Sequence, residues 1–419
     1  MVEFLMDSRA NALLRRFSGA PLLSMASQII GLMQLLLLVF RTGASNATDS
    51  YLYLFNMGML PIQVLIVGIM YPRLLNNARI TAVGVRRIGV LAPIVSVMLV
   101  VAGSAWIALQ GRWDAGILLI ASLCAVNAAI QAVAWFHAVS AEAGGNPIWT
   151  AAVALPANLL ATLVLVLPWA DTQSATVAML IALVVGNAVL VVLMRAKRVG
   201  HDVRTAKFEP QVIETSGGTG WFFSKAAAGY VGQALLQTVA VTLPPASVTI
   251  LNFAVKIVGA VSATMVNAVM PRLVHQTTET PSASRRFLNL LLLTLASFGL
   301  IAVGVIAIWW PAYMVPAIAV LLWVLAAAAA AVAQRMAFRF LKPNASAVSI
   351  VVIVVIVVIA LILSGNPGFP LVFLICCYVG LDGATAAILL FALRARVQSF
   401  AMFAVLAAAS AIGVTSWFN

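Results

Sequence analysis

Long apolar blocks separated by short polar breaks constrain this sequence more than any other feature. The block at 348–363 shows the pattern, because Ser349 is its one polar residue. Over the whole chain of 419 residues, 63% are hydrophobic and 8% are charged, whereas soluble domains carry about a quarter charged residues. The pattern excludes a water-soluble globular fold and predicts an all-α polytopic membrane protein.

Segments of about twenty apolar residues, long enough to cross a bilayer, occur thirteen times. The predicted spans are 18–40, 47–70, 88–109, 116–140, 149–168, 175–195, 221–243, 246–270, 287–310, 315–337, 346–364, 369–393 and 398–417. We therefore expect about 12–14 transmembrane helices.

The basic residues lie in the polar breaks between these spans. If the N-terminus is cytoplasmic, the inward-facing loops hold 20 of the 24 Lys and Arg residues, and the outward-facing loops hold only Arg41 and Arg112. This asymmetry follows the positive-inside rule and predicts a cytoplasmic N-terminus. It also accounts for the net charge of +13, so we do not expect the chain to bind nucleic acid.

Two short motifs recur at an offset of 199 residues and indicate an internal repeat. The sequence Pro-Arg-Leu at 72–74 recurs at 271–273, and the arginine pair at 86–87 recurs at 285–286. Six spans per half is an even number, so both halves keep the same orientation. We therefore predict two parallel six-helix lobes around a central cavity, which is an arrangement suited to alternating access. The predicted parts are an N-terminal cytoplasmic segment, a first lobe, a cytoplasmic linker, a second lobe and an extra C-terminal helix, at 1–17, 18–195, 196–220, 221–393 and 394–419.

Charged residues within spans are expensive and often functional. Lys256 lies midway along 246–270, with Asn252 one helical turn before it. A cation facing a water-filled cavity would attract a phosphate. The alternatives are a structural lysine paired with a carboxylate, or a lysine that snorkels to the interface.

Asp382 lies midway along 369–393 and is a candidate for ion coupling through a proton site, or for pairing with Lys256. Beside Gly380 and Gly383, it could instead mark a break in the helix. Asp49 opens the second span, where a carboxylate favours the helix dipole, and Arg41 is close enough in sequence to pair with it.

Amide side chains embedded in the spans form a further set of candidates. They are Gln28, Gln34, Asn127, Gln131, Gln233 and Gln237. Such residues either line a hydrated pathway or form hydrogen bonds between helices.

Several chemical functions have no motif in this sequence. It contains no phosphate-binding loop of the G-x-x-x-x-G-K-[ST] type, no H-E-x-x-H and no G-x-S-x-G. Cys124, Cys376 and Cys377 lie in apolar stretches without metal-ligand spacing. We therefore expect no cofactor, no metal site and no enzymatic activity.

The stretch from 27 to 74 resembles the opening of the MurJ-type lipid II flippases, which belong to the multidrug/oligosaccharidyl-lipid/polysaccharide exporter superfamily. The matching features are Ser-Gln-Ile-Ile-Gly at 27–31, Gly-Ala-Ser-Asn-Ala-Thr-Asp-Ser-Tyr at 43–51, and Pro72 closing the span. The resemblance implies two six-helix lobes around a cationic cavity, usually followed by extra C-terminal helices.

The resemblance also assigns roles to particular residues. Asp49 matches a functional aspartate of the family, and Lys256 falls where the family has a functional arginine in its eighth span. The chain departs from the family at three other arginines, since Gln28 and Gln34 replace two and the third falls near Ile62. It also has about one span fewer than the usual fourteen.

The favoured function is a flippase for a polyprenyl-(di)phosphate-linked saccharide in the bacterial plasma membrane, with lipid II as one candidate substrate. Lys256 would hold the phosphate and the amides the sugar, while the polyprenyl tail stays among membrane lipids. One alternative is a drug or cation antiporter, which calls for carboxylates such as Asp382. Another is a scaffold that binds envelope-synthesis proteins. A glycosyltransferase using Asp49 is disfavoured because the first outer loop is short.

Overall fold

The computed structural model describes residues 2–43, 45–71, 74, 82–169, 171–201, 219–261, 281–340, 344–366 and 368–418. These residues are almost entirely α-helical, and none of them lies in a β-strand. The chain divides into two compact units, residues 1–226 and 227–419. The all-α fold predicted from the apolar blocks is therefore confirmed.

The first unit contains helices that correspond to the first six predicted spans. They are α1 (Val2–Thr42), α2 (Asn46–Pro61, continued by a π-helix over Ile62–Met70), α3 (Ala82–Leu109), α4 (Ala115–Ala143), α5 (Ile148–Ala152), α6 (Leu155–Val166) and α7 (Thr172–Ala196).

The second unit contains helices that correspond to the other predicted spans. The first of these helices starts just before the division between the units. They are α8 (Thr219–Thr242), α9 (Ser247–Val261), α10 (Pro281–Trp309), α11 (Met314–Phe340), α12 (Asn344–Leu363), α13 (Leu371–Ala392) and α14 (Arg396–Thr415).

Ten helical segments among the described residues are long and apolar enough to cross a membrane. They include α14, which corresponds to the last predicted span. Helix α9 is also apolar but is shorter. The 41 residues of α1 correspond to a rod about 60 Å long, whereas the hydrocarbon core is about 30 Å thick. Helix α1 therefore extends well before the predicted span at 18–40.

Side-chain caps fix where three helices of the first unit begin. Ser45, Asp114 and Asp171 each accept a hydrogen bond from the backbone N–H three residues later, at the starts of α2, α4 and α7. Such caps satisfy backbone donors that have no partner within the helix. The polar breaks before these three helices are therefore true helix boundaries.

The core of each unit is formed by clusters of buried residues that join several helices. In the first unit, buried aliphatic and aromatic residues join α2, α3 and α4, and a second cluster joins α4 and α7. In the second unit, a cluster rich in alanine and leucine joins α10, α11, α13 and α14. Small residues let these helices approach closely, which is typical of packing in membranes.

The internal repeat recurs in the helix boundaries. Helices α4 and α7 begin at Ala115 and Thr172, and α11 and α13 begin 199 residues later, at Met314 and Leu371. The arginine pairs at 86–87 and 285–286 lie near the starts of α3 and α10. The two Pro-Arg-Leu motifs are not within the described residues, apart from Leu74. The repeat is confirmed for these helices, while the lobe and linker boundaries stay predictions.

Candidate functional site

A polar network surrounds the turn between α1 and α2, where Asp49 lies. Gly43 has φ +66° in this turn, a left-handed conformation that favours glycine. The Thr48 hydroxyl lies 2.9 Å from the Thr42 hydroxyl and 3.0 Å from the Ser45 hydroxyl. Asp49 is 3% exposed and sits in the first turn of α2, so the expected interaction with the helix dipole has the right geometry.

The predicted pairing of Arg41 with Asp49 is wrong. The Arg41 guanidinium instead donates from Nη2 to the backbone oxygen of Val166, at 2.9 Å. Val166 is the last residue of α6, and a cation is stabilised at the carbonyl end of a helix. Arg41 therefore ties α1 to the end of α6.

The two glutamines of α1 lie in different environments. Gln34 is 7% exposed and donates from Nε2 to the sulfur of Met179 on α7, at 3.3 Å. Gln34 also forms a side-chain hydrogen bond with Tyr51 of α2, so the amide already has partners on two neighbouring helices. Gln28 is half-buried on the same helix.

Lys256 and Asn252 share α9 but differ in their partners. Asn252 is buried and donates from Nδ2 to the backbone oxygen of Val248 in its own helix, at 2.9 Å. Lys256 is half-buried, and within the described part of the chain no carboxylate pairs with its ammonium group. The predicted alternative in which Asp382 neutralises Lys256 is therefore not supported.

Asp382 belongs to a cluster that joins three helices of the second unit, in which the two aromatic residues are buried and Asp382 and Gln233 are half-buried. Its Oδ2 accepts a hydrogen bond of 2.8 Å from Nε1 of Trp323 on α11. The rings of Trp323 and Tyr378 are 4.5 Å apart between centroids and tilted by 36°. The Tyr378 hydroxyl donates to the backbone oxygen of Gln233 on α8, at 2.9 Å. We call Asp382, Trp323, Tyr378 and Gln233 the aromatic–carboxylate cluster.

The cluster changes the interpretation of Asp382. Helix α13 runs without interruption from Leu371 to Ala392, so the predicted helix break at Gly380 and Gly383 is wrong. A half-buried carboxylate with an indole donor can accept a proton or a cation, and such intramembrane groups mark ion pathways.

Sequence reasoning missed Trp323 and Tyr378. The signal that could have found Tyr378 is its position one helical turn before Asp382, together with the polar tip that aromatic residues carry into apolar surroundings. Gln237, which the sequence did single out, lies buried one turn after Gln233 on α8. The structure thus links two predicted residues, Gln233 and Asp382, through two unpredicted ones.

The comparisons with known proteins found similarity in structure but no match in sequence. The sequence matches no family model and no curated protein. The structure of the lipid II flippase MurJ in an inward closed conformation matches with a TM-score of 0.64 and 11% identity, over 95% of this chain and 97% of that chain.

Two structures of the Vibrio cholerae MATE transporter VcmN also match, each with 12% identity. One is a mutant, with a TM-score of 0.41 over 98% of this chain and 99% of that chain. The other is a bent form, with a TM-score of 0.39 over 97% and 98%. Because the match to MurJ extends over nearly the whole length of both chains, the resemblance seen in the first two spans holds for the fold. The chain is a multi-pass membrane protein with the fold of the MurJ flippase.

Proposed function

We propose that this chain is a flippase that moves a polyprenyl-(di)phosphate-linked saccharide from the inner to the outer leaflet by alternating access. The observation that carries the proposal is Lys256, a half-buried cation midway along α9 without a carboxylate partner in the described residues. An unpaired charge in a membrane span is costly. An anionic ligand removes that cost, and phosphate oxygens are strong acceptors for an ammonium group.

The amide side chains suit the saccharide part of such a substrate. Gln28 and Gln34 on α1, and Gln233 and Gln237 on α8, occupy the first helix of each half. Amides both donate and accept hydrogen bonds, as sugar hydroxyls require. Asp49 would add an acceptor near the end of the path, and the polyprenyl tail would remain in the surrounding lipid.

We assign ion coupling to Asp382. The sequence has no phosphate-binding loop that would power transport by ATP. A carboxylate that binds a proton or cation in one state and releases it in another can instead couple transport to a gradient. The same carboxylate supports the second candidate function, a drug or cation antiporter. The proposed setting is the bacterial plasma membrane, with the N-terminus in the cytoplasm and envelope-synthesis proteins as partners.

Depletion of the protein in its native cell tests the proposal. Polyprenyl-linked saccharides are quantified by mass spectrometry and assigned to a leaflet by their accessibility to a membrane-impermeant hydrolase. We expect one lipid-linked saccharide to accumulate on the cytoplasmic side. Re-expression of the wild-type chain should clear it, whereas Lys256→Ala should not.

Two further variants sharpen this experiment. Lys256→Arg keeps the charge and should restore part of the activity, while Arg87→Ala removes an exposed cation and should behave as wild type. If no lipid-linked saccharide accumulates, the flippase proposal is wrong, and drug sensitivity of Asp382→Asn cells tests the antiporter. If Lys256→Ala clears the intermediate fully, a scaffolding role explains the depletion better.

A further inference from the structure

The offset of 199 residues relates individual side-chain contacts of the two units as well as their helices. In the first unit Gln34 of α1 contacts Met179 of α7, and in the second unit Gln233 of α8 contacts Tyr378 of α13. Both partners in the second unit lie 199 residues after their counterparts. The same offset relates the starts of α4 and α11 and of α7 and α13. Residues can therefore be compared between the units position by position.

This comparison shows that the aromatic–carboxylate cluster is specific to the second unit. At the offset of 199, Trp323 corresponds to Cys124, and Asp382 corresponds to Leu183. Cys124, Met179 and Leu183 are all buried, and α4 packs against α7 as α11 packs against α13. The first unit thus builds the equivalent helix packing with an apolar leucine and two sulfur-containing residues.

The polar groups of the cluster are therefore not required by the helix packing. A carboxylate within a span destabilises the protein unless it is solvated or bound. The second unit nevertheless carries a carboxylate, an indole donor and a phenol at positions where the first unit carries none. Only the glutamine is common to both units.

The contacts of the cluster form a continuous path from the carboxylate to another helix. The indole N–H can only donate, so its bond to Asp382 depends on whether that carboxylate is free, protonated or bound to a cation. The Tyr378 ring lies 4.5 Å from the indole ring, measured between centroids, so a shift of the indole would be felt by the phenol ring. The Tyr378 hydroxyl in turn holds the backbone oxygen of Gln233, on the helix that also carries Gln237.

We propose that Trp323 and Tyr378 are positioning residues that link the occupancy of Asp382 to the conformation of α8. The proposal rests on the proposed role of Asp382 in coupling. It deepens that role, because α8 carries two of the amides assigned to the saccharide. Neither aromatic residue touches substrate in this scheme.

Hydrogen–deuterium exchange of the purified protein in lipid nanodiscs tests this link without any substrate. The readout is the exchange rate of backbone amides in 229–242 of α8. Asp382→Asn imitates the neutral carboxyl, and we expect it to change this rate roughly fivefold, the effect of one net hydrogen bond. In a Tyr378→Phe background, which keeps the ring and removes the hydroxyl, the same Asp382→Asn change should have almost no effect on α8.

Trp323→Phe provides a second background, since it removes the indole donor but keeps an aromatic ring. It should also abolish the response of α8 to Asp382→Asn. Trp310→Phe and Tyr313→Phe, at exposed positions before α11, are the matched controls and should leave the response intact.

The proposal is overturned if Asp382→Asn changes the exchange rate of the α8 amides equally with and without the Tyr378 hydroxyl. It is also overturned if Asp382→Asn does not change that rate at all. Because no lipid-linked saccharide is involved, either result leaves the depletion experiment to decide the flippase function separately. An infrared carboxyl band that disappears in Asp382→Asn and shifts in Trp323→Phe would confirm that the indole bond exists in the membrane.

Discussion

Asn127 and Asn187 show how single residues hold two helices of the first unit together. Both are 1% exposed, and Asn187 Nδ2 donates to Asn127 Oδ1 at 2.9 Å, joining α4 to α7. The corresponding residues in the second unit are Ala326 and Ala386, both also fully buried. The amide pair is therefore an interhelical bond rather than the lining of a pathway.

Asn187→Ala should lower the free energy of unfolding by about 1 kcal/mol, because it leaves the Asn127 amide buried without this partner. The double variant Asn127→Ala/Asn187→Ala should cost less than the sum of the two single changes, since it reproduces the alanine pair of the second unit. Steric trapping in bicelles measures these differences, with exposed Ser122→Ala as the control. Strictly additive losses would show that the two amides do not stabilise each other.

The charges of the candidate site could be predicted from the sequence, but their partners could not. Lys256, Asp49 and Asp382 stand out because charges are rare in apolar spans. Arg41 was expected to pair with Asp49 because the two are near in sequence, yet a carbonyl of α6, distant in sequence, takes the guanidinium. The sequence does not single out Trp323, because indoles are common in spans. Its role as a donor to Asp382 depends on how α11 packs against α13.

At the scale of helices, hydropathy predicts where a helix lies but not its internal geometry. Pro61 is visible in the sequence and lacks the N–H that would continue the helical bonding. The π-helix that follows it, Ile62–Met70, depends on packing against neighbouring helices, so the apolar pattern of the sequence does not predict it. Just after it, the Tyr71 hydroxyl donates to Glu142 Oε1 of α4 at 2.6 Å, and so fixes the end of this helix.

The start of α7 gives a pH-dependent prediction. Asp171 accepts a hydrogen bond from the Ser174 backbone N–H, and this bond holds the pKa of the carboxyl below its ordinary value. The capping contribution is thus present above the unfolded pKa of about 4. It is lost as the pH falls through the lower pKa of the folded state.

Two substitutions separate capping from charge. Asp171→Asn keeps a capping side chain that does not titrate, so its thermal stability should lack this acid-dependent loss. Asp171→Ala removes the cap and should be less stable than wild type at neutral pH. Thermal unfolding in detergent at neutral pH and near pH 3 measures both effects, and identical acid dependence of wild type and Asp171→Asn would contradict the assignment.

For the whole molecule, the all-α membrane fold was predictable because a bilayer demands satisfied backbone bonds and about twenty apolar residues per helix. The offset of 199 found in the arginine pairs recurs in the starts of α4 and α11. The extent of α1 was not predictable, because its first turns lie in a polar segment where hydropathy does not distinguish helix from tail. Orientation rests on the distribution of charge alone and, like the lobe and linker boundaries, stays a prediction.

Cysteine labelling tests that orientation in both halves together. Six spans separate equivalent loops of the two halves. Trp113 and Trp310, in one such pair of loops, should therefore both face outward, and Arg87 and Arg286 should both face the cytoplasm. All four side chains are exposed, whereas the three native cysteines are buried and should give little background. In whole cells, a charged maleimide should label Trp113→Cys and Trp310→Cys. Arg87→Cys and Arg286→Cys should react only in inverted vesicles, and opposite behaviour of Trp113→Cys and Trp310→Cys would mean that the halves are inverted rather than parallel.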